Sequence, residues 1–334
     1  MEYRVLGKTG IKVSQLGFGT MNFASGVDEA MAKKLFDRCR EKGVNLFDCA
    51  NIYGQNRCGE AEEILGNCMK GQRDDCIVIS KVGNARWNRP DNDGGLSRRH
   101  IMLEVEKSLK RLKTDRIDIY MIHHMDPVTP IEETIRAFDD LQRQGKIVYA
   151  GISNAAAWQI ALSLGISARE GLGRFEVVEP MYNLVKRQSE VEILPLCVDQ
   201  NIGVITYSPL GAGLLTGKYR GGNLNVEGRL TKSARYSGRY IDDANFKVAD
   251  DFVAHAEAHG VNPTPLAIAW AMSNPAVTCP LIGAKNLEQL DLALSAVDIR
   301  MTPEWRAEIT ALSIEPPSAT DRSEEKKNPN IFGH

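Results

Sequence analysis

Short apolar runs alternate with longer amphipathic segments over most of the chain. An apolar run bounded by turn residues is typical of a buried strand, whereas apolar positions repeating every three or four residues are typical of a helix packed on one face. The first residues, MEYRVLGKTGIKVS, alternate around a Gly-Lys-Thr-Gly turn and predict a β-hairpin. Eight strands are then predicted, at Gln15–Gly19, Asn45–Cys49, Cys76–Val82, Ile117–His123, Ile147–Asn154, Val177–Asn183, Gly203–Ser208 and Val277–Gly283.

The amphipathic segments between these runs predict the helices. Capping residues mark several ends, such as Asp28 before the first helix and Gly43 after it. The longest connection without a predicted element runs from Gly211 to about Asp242. Helices are predicted at Asp28–Lys42, Glu60–Met69, Ser97–Leu112, Ile131–Gln144, from Ala156, near Ser189–Gln200, from about Asp242 to His259, and at Pro265–Asn274 and Asn286–Ala296.

Strands that alternate with helices indicate parallel βαβ units and an α/β fold. Eight such units predict a (β/α)8 TIM barrel, with the N-terminal β-hairpin as a plug at one end. An open doubly wound sheet is the alternative, but it normally carries G-x-G-x-x-G after its first strand, and LGFGTMNF lacks that turn. We expect a single barrel domain over residues 1–314 and a C-terminal tail over residues 315–334.

Composition narrows the possible partners. Hydrophobic residues make up 43% of the chain and charged residues 25%, which allows a large core, and the net charge is only −2. That balance argues against a nucleic-acid binder or a membrane-surface protein, so a small molecule is the expected partner. No apolar run reaches the roughly 18 residues of a membrane span, and the first ten residues lack a signal-peptide core, so a cytoplasmic location is expected. The seven cysteines show no metal-binding spacing and are interpreted as reduced thiols, and no metal is expected; the oligomeric state is not readable.

Chemically active side chains stand at the ends of consecutive predicted strands. Asp48 ends the second strand, Lys81 lies at the end of the third, and His123 ends the fourth. Tyr53 follows on the loop after the second strand, just before Gly54. Because the carboxyl ends of parallel barrel strands meet at one mouth, these four side chains are predicted to converge there.

A cluster of one tyrosine, one lysine, one aspartate and one histidine is suited to proton transfer. A tyrosine with a pKa of about 10 is a poor acid at neutral pH, but a neighbouring ammonium favours the phenolate and a carboxylate fixes that ammonium. Tyr53 is therefore a candidate proton donor to a carbonyl that accepts a hydride, and His123 a candidate for orienting that carbonyl. A structural role is the ordinary alternative for any one of them. His124 is the alternative to His123, because the two alternate in direction and periodicity does not say which faces the lumen.

Two glycine-rich loops predict a phosphate site. YSPLGAGLLTGKY begins at Tyr207 and contains Lys218, and LIGAKN ends the eighth strand. Barrel enzymes commonly bind phosphate on the loops after strands seven and eight, through backbone N–H groups. A dinucleotide across this rim would place Tyr207 against a nicotinamide face and Asn154 beside the carboxamide.

Together these motifs resemble those of the aldo-keto reductases, over essentially residues 3–300. The matching segments are LGxGTM at 16–21, FDxAxxYG at 47–54, SK at 80–81, IHHMDP at 122–127, GISN at 151–154, YSPLGAGLLTGKY at 207–219 and IGAKNLEQL at 282–290. The last loops are similar to those of bacterial general reductases and potassium-channel β subunits. The resemblance implies an NADPH-binding barrel without a Rossmann fold.

The resemblance also implies roles for individual residues. The catalytic tetrad falls on Asp48, Tyr53, Lys81 and His123, with His123 in the family position. Substrate contacts fall on Tyr53, His123, His124 and Trp87, and pocket walls on Met21 and on loops near Arg86–Asn92 and Tyr236–Tyr240. Cofactor contacts fall on Gly19, Thr20, Met21, Asp48, Ser153, Asn154, Glu179, Tyr207, Ser208, Leu210, Gly213, Lys218, Arg229, Gly283, Lys285 and Gln289.

Glu179 departs from the family pattern, which usually has glutamine at this position. A carboxylate accepts but does not donate, and its charge favours the cationic, oxidised nicotinamide, so tighter retention of NAD(P)⁺, or a preference for oxidation, is a hypothesis. Lys285 favours NADP(H) over NAD(H), because it places a cation near a 2′-phosphate.

Three functions remain open from the sequence. The first is an NADP-dependent reductase of aldehydes, ketones or sugars, or the reverse oxidation of an alcohol. The second is a coenzyme-loaded barrel acting as a binding or regulatory subunit. The third is an isomerase or aldolase in which Lys81 forms a Schiff base with a phosphorylated substrate.

Overall fold

A closed barrel of eight parallel strands forms the centre of the molecule. The structure, a computed structural model, describes residues 1–84 and 92–320. An antiparallel hairpin precedes the barrel, and the barrel strands follow in the cyclic order β3 to β10. The hairpin strands are β1 (Tyr3–Val5) and β2 (Lys12–Ser14), and the barrel strands are β3 (Gly17–Gly19), β4 (Leu46–Asp48), β5 (Ile77–Val82), β6 (Ile117–Ile122), β7 (Ile147–Ser153), β8 (Phe175–Glu179), β9 (Gly203–Thr206) and β10 (Cys279–Ile282).

Helices surround the barrel and bury their apolar faces against the outside of the strands. Within the described ranges, no helix is long and apolar enough to cross a membrane. The helices are α1 (Glu29–Glu41), α2 (Glu60–Cys68), α3 (Arg98–Leu112), α4 (Ile131–Arg143), α5 (Ala157–Glu170), α6 (Ile193–Asp199), α7 (Arg229–Lys232), α8 (Ala234–Tyr240), α9 (Asp243–Ala258), α10 (Pro263–Met272), α11 (Leu287–Leu294) and α12 (Pro303–Ala311).

A second, smaller core fills the barrel interior. It contains alternate residues of the strands, among them Leu46, Ile79, Met121 and Val177. The hairpin side chains Leu6 and Val13 belong to the same cluster. The hairpin therefore closes the amino-terminal end of the barrel, as predicted, and leaves the carboxyl ends of the strands as the mouth.

The predicted barrel and its hairpin are confirmed, with three differences larger than a shift of one or two residues at a strand end. Strand β8 ends at Glu179 instead of Asn183, because Pro180 has no N–H to continue the ladder. The stretch predicted as one long connection, 211–242, contains the short helices α7 and α8 and two 3-10 turns. Helix α12 had no counterpart among the predicted elements. Most of the expected tail, residues 321–334, lies outside the described residues.

Candidate active site

The predicted catalytic residues gather at the mouth of the barrel. Asp48 ends β4, and Lys81 is the fifth residue of β5. Side chains alternate along a strand, so residues two positions after an interior apolar residue also face the interior. His123 follows the interior residue Met121 by two positions, and it is buried. The structure therefore places His123, rather than His124, in line with the lumen.

Lys81 is the centre of the cluster. Its side chain is fully buried, and its ammonium makes an ion pair and a hydrogen bond with Asp48. The same nitrogen donates to the carbonyl oxygen of Cys49 at 3.2 Å and lies 3.2 Å from Oε2 of Glu179. It also stands 5.7 Å from the centre of the Tyr53 ring. One cation thus contacts two carboxylates and a phenol.

A tight loop between β4 and α2 presents Tyr53 to this cation. The N–H of Tyr53 donates to the carbonyl of Ala50 at 3.1 Å, and its own carbonyl accepts from Ala61 at 3.1 Å. A Cβ at Gly54 would lie 2.1 Å from the carbonyl oxygen of Arg57, so this position requires glycine. The loop fixes the phenol edge-on to the His123 ring, with ring centres 5.9 Å apart.

Burial and charge set the protonation states of the cluster. Burial alone would lower the pKa of Lys81, but the charge of Asp48, and that of Glu179 when it is ionised, raise it above its ordinary value. Lys81 is therefore an ammonium at neutral pH and not the neutral amine that a Schiff base requires, which counts against the aldolase alternative. The pKa of Tyr53 is raised, chiefly by burial, and Lys81 offsets only part of that effect. The expected influence of the ammonium is present, but burial outweighs it, so the phenol is a weaker acid than a free tyrosine.

His123 is a neutral imidazole. Its pKa lies well below its usual value because burial disfavours the cation, and the charges of Lys81, His124 and Arg235 act in the same direction. Its Nδ1 atom is buried without a hydrogen-bond partner among the described residues. A neutral ring retains one N–H, which suits a hydrogen bond to a carbonyl oxygen.

Ser153, Asn154 and Tyr207 form a polar platform at the mouth. Ser153 Oγ donates to the backbone carbonyl of Glu179 at 2.8 Å. The amide of Asn154 donates to the carbonyl of His123 at 2.9 Å and accepts from the Tyr207 hydroxyl at 2.6 Å. Asn154 holds a positive φ of 53°, which asparagine tolerates better than most residues. The backbone here is bent so that the amide lies between His123 and Tyr207.

The segment after β3 borders the catalytic cluster. Both the N–H and the hydroxyl of Thr20 donate to the backbone carbonyl of Asp48, at 2.8 and 2.9 Å. Gly19 pairs with Asp48 in the barrel register. The sulfur of Met21 accepts from the Tyr236 hydroxyl at 3.6 Å, which links this segment to α8.

Three of the predicted cations lie on the loops beside β9 and β10. The Lys218 ammonium approaches Gly228, since a Cβ at Gly228 would lie 2.6 Å from it, and Arg229 is the next residue. Arg229 donates to the Asn22 side chain at 2.9 Å. Lys285 lies close enough to this area for its charge to act on Glu227. The pKa of Glu227 is lowered mainly by Lys232 and to a smaller extent by Lys285. In the described part of the chain, none of the three makes a salt bridge.

The remaining predicted cofactor residues lie on the same two loops, except Gln289, which lies on α11. Ser208, Leu210 and Gly213 belong to the bend after β9, in which Ser208 and Gly213 have positive φ values of 59° and 93°. Gly283 follows β10, and a Cβ added there would meet no atom closer than 3.8 Å, so the backbone at this point is open. Gln289 accepts from the N–H of Lys285 at 3.0 Å.

Two arginines near the mouth were not named individually from the sequence, although Arg239 lies within the predicted pocket stretch Tyr236–Tyr240. Arg235 and Arg239 lie on α8, one turn apart, and neither makes a salt bridge within the described ranges. Arg239 lies 5.7 Å from the centre of the Tyr236 ring, and both arginines lower the pKa of His124, where burial is the larger cause. Residues four apart share one face of a helix, so their spacing could have indicated a pair of cations, but only once residues 234–240 were known to be helical. The predicted pocket residues Arg86 and Trp87 lie outside the described residues.

Comparison with known proteins relates the chain to a family. The aldo/keto reductase family model matches residues 15–314. A rice protein named "Probable voltage-gated potassium channel subunit beta" is 37% identical and covers 96% of this chain and 99% of its own. "Uncharacterized oxidoreductase YrpG" of Bacillus subtilis is 36% identical, over 91% of this chain and 93% of its own. "Versiconal hemiacetal acetate reductase" of Aspergillus parasiticus is 30% identical, over 91% and 94%. The chain therefore belongs to the aldo/keto reductase family of oxidoreductases.

Proposed function

We propose that this chain is an NADP(H)-dependent oxidoreductase that transfers hydride between the nicotinamide and an aldehyde, ketone or sugar carbonyl. Tyr53 is its general acid and base. The observation that carries the proposal is the fully buried Lys81, paired with Asp48 and 5.7 Å from the Tyr53 ring. An ammonium without solvent, held by a carboxylate beside a phenol, favours the phenolate more strongly than it would in water.

The residues present fit a nicotinamide coenzyme. Oε2 of Glu179 and Nδ1 of His123 are buried without hydrogen-bond partners in the described structure. Ser153, Asn154 and Tyr207 form the neighbouring polar platform. Lys218, Arg229 and Lys285, which make no salt bridge in the described chain, suit anionic phosphates at the other end of such a molecule.

Each catalytic side chain then has a defined task, while the bound coenzyme supplies the hydride. His123 holds the substrate carbonyl through a ring N–H, since the imidazole is neutral. Tyr53 delivers a proton to the oxygen of that carbonyl as the alkoxide develops. Lys81 stabilises the phenolate left behind, and Asp48 fixes Lys81. In the reverse direction the Tyr53 phenolate accepts the proton of an alcohol.

The arginines of α8 support a substrate that carries a negative group. Arg235 is exposed and Arg239 half-buried, and their charges act on His124 at the mouth. A guanidinium pairs with a carboxylate or phosphate in a bidentate way. An aldehyde or ketone bearing such a group, positioned by these arginines, places its carbonyl toward His123 and Tyr53.

A second candidate function has support from the relatives. The rice protein and a 38% identical Arabidopsis thaliana protein are both named probable potassium channel β subunits. A coenzyme-loaded barrel that acts as a binding or regulatory subunit is therefore the alternative. It differs from the first proposal in requiring coenzyme binding without substantial turnover.

The test combines binding with turnover. NADPH and NADH are titrated against the protein by fluorescence, and coenzyme absorbance is then followed with aldehydes, sugars, keto acids and aromatic carbonyls. The reductase proposal expects NADPH to bind more tightly than NADH and to be oxidised by at least one carbonyl class. Tight NADPH binding without turnover across the panel would favour the regulatory alternative, and no binding of either coenzyme would refute both.

A further inference from the structure

Glu179 places a second carboxylate on the catalytic lysine. Its side chain is only 4% exposed, and Oε2 lies 3.2 Å from Nζ of Lys81. The angle of that contact is not that of a hydrogen bond, so Oε2 has no hydrogen-bond partner among the described residues. Asp48 holds the same ammonium more closely. The two carboxyl groups therefore compete for one cation in a buried site.

The charges around Glu179 do not balance when all groups ionise. The titratable groups that face it are Asp48 on β4, Tyr53 on the loop after β4, Lys81 on β5 and Tyr207 after β9. Both tyrosines are neutral because burial raises the pKa of each. Two carboxylates against one ammonium leave one buried negative charge without compensation, which is costly in a site of low dielectric.

A bound proton removes this imbalance. Asp48 makes the closer contact with Lys81, so the proton is better placed on Glu179. Burial and the neighbouring Asp48 raise the pKa of Glu179 to about 8, although Lys81 opposes them. At neutral pH the cluster is then Asp48 carboxylate, Lys81 ammonium and Glu179 carboxylic acid, with no net charge.

We propose that Glu179 is a proton-binding site that stays protonated with reduced coenzyme and loses its proton when the oxidised coenzyme binds. This inference rests on the proposed function, because it requires a nicotinamide at the mouth. The oxidised ring is a cation and the reduced ring is neutral, so only the oxidised ring compensates a second carboxylate. Glu179 loses one proton to solvent, and no other bond is made or broken.

The consequence is a pH-dependent preference between the two coenzyme forms. Below about pH 8, binding of the oxidised form must release the Glu179 proton. Its dissociation constant, relative to that of the reduced form, should fall as pH rises, by up to tenfold per pH unit. The ratio should level off above about pH 8. Taking the ratio cancels titration of the coenzyme's own phosphates, which both forms share.

The experiment measures dissociation constants of NADP⁺ and NADPH from pH 6 to 9, in the wild type and in Glu179→Gln. Proton release on NADP⁺ binding is counted by calorimetry in buffers of different ionisation enthalpy. Glu176→Gln, on the same strand and paired with Arg174 at 3.0 Å, is the matched control. Glutamine has the shape of glutamic acid but does not titrate.

Near pH 6.5 the wild type and the control should release close to one proton more with NADP⁺ than with NADPH. Glu179→Gln should release the same number with both forms and show a flat ratio. A flat ratio in the wild type, or a slope that persists in Glu179→Gln, would overturn this inference and leave the proposed function intact. Failure of both coenzymes to bind would overturn the proposed function itself, and this inference with it.

Discussion

Deleting the hydroxyl of Tyr53 separates its catalytic contribution from any structural one. The Tyr53→Phe substitution removes one oxygen, which makes no hydrogen bond with any described residue, whereas the ring stays in contact with Lys81 and His123. No buried partner is left unsatisfied, so the free energy of unfolding should change by no more than about 0.5 kcal/mol. A loss of activity in this variant therefore reports on proton transfer rather than on folding.

The size of the loss follows from the role of the proton. A positioned general acid contributes about 10² to 10⁴-fold, which corresponds to roughly 2.7 to 5.4 kcal/mol at about 1.36 kcal/mol per factor of ten. The upper part of that range is expected here, since the phenol stands beside a buried ammonium, and the adjacent His123 ring, whose pKa is well below its usual value, carries no imidazolium proton to donate instead. Coenzyme dissociation constants should stay within about twofold, because the aromatic ring remains.

The assay follows NADPH absorbance with whichever carbonyl class the substrate panel identifies, alongside urea denaturation and coenzyme titration. Tyr120→Phe is the matched control, since Tyr120 is fully buried and its hydroxyl likewise has no partner among the described residues, but it belongs to the outer cluster on β6. It should retain wild-type kcat. If Tyr53→Phe kept more than about a tenth of wild-type kcat, or lost activity only in proportion to lost stability, another group would have to be the acid.

Further substitutions test the neighbouring parts of the site. Lys81→Met leaves buried carboxylates without their cation, so it should lower the free energy of unfolding by about 3 to 5 kcal/mol in urea denaturation, whereas Lys33→Met, in an exposed pair with Asp37, should cost well under about 1 kcal/mol. An equal effect of the two would contradict the buried-pair argument. Lys285→Ala should raise the NADPH dissociation constant about tenfold and leave that of NADH within about twofold, and an equal change in both would show that Lys285 does not bind the 2′-phosphate. Arg239→Ala should lower kcat/KM about tenfold for an aldehyde carrying a carboxylate and little for a neutral aldehyde of similar size, and a uniform loss would show that Arg239 is structural.

The barrel and the residues at its mouth could be predicted from the sequence, because the two-residue period of a strand and the position where it ends depend on local sequence. Interior residues such as Leu46, Ile79 and Met121 follow the two-residue alternation of a strand. The residues two positions later on each strand therefore also face the interior, and they lie at the mouth. Sequence patterns failed where tertiary contacts decide. The apolar residues Met181 and Tyr182 suggested that β8 continues, yet Pro180 ends it, and the segment reaches Tyr207 through an isolated bridge and the 3.2 Å bond from the N–H of Tyr182.

Helix α8 shows a different limit. ARYSGRY has a glycine and no apolar stripe, so neither propensity nor periodicity predicts a helix there. Tertiary contacts hold it instead. The Tyr240 hydroxyl accepts from Asn183 at 3.1 Å, and the Tyr236 hydroxyl reaches Met21. The stretch was expected to line the pocket as a loop, so the placement of Arg235 and Arg239 one helical turn apart was not recognised from the sequence.

Charge is distributed across the mouth in a way that suits a molecule with an anionic end and a ring that changes charge. The buried end has one carboxyl group more than it has cations, at Asp48, Glu179 and Lys81, and the rim has cations without salt bridges in the described chain, such as Lys218 and Lys285. In the proposed function, the rim would attract the coenzyme phosphates in either oxidation state and would set overall affinity. The buried carboxyl group would respond only to the charge of the nicotinamide ring, so it would set the preference between oxidation states. If that division holds, substitutions at the rim should change the dissociation constants of NADP⁺ and NADPH by the same factor. Glu179→Gln should instead change the ratio of these two constants.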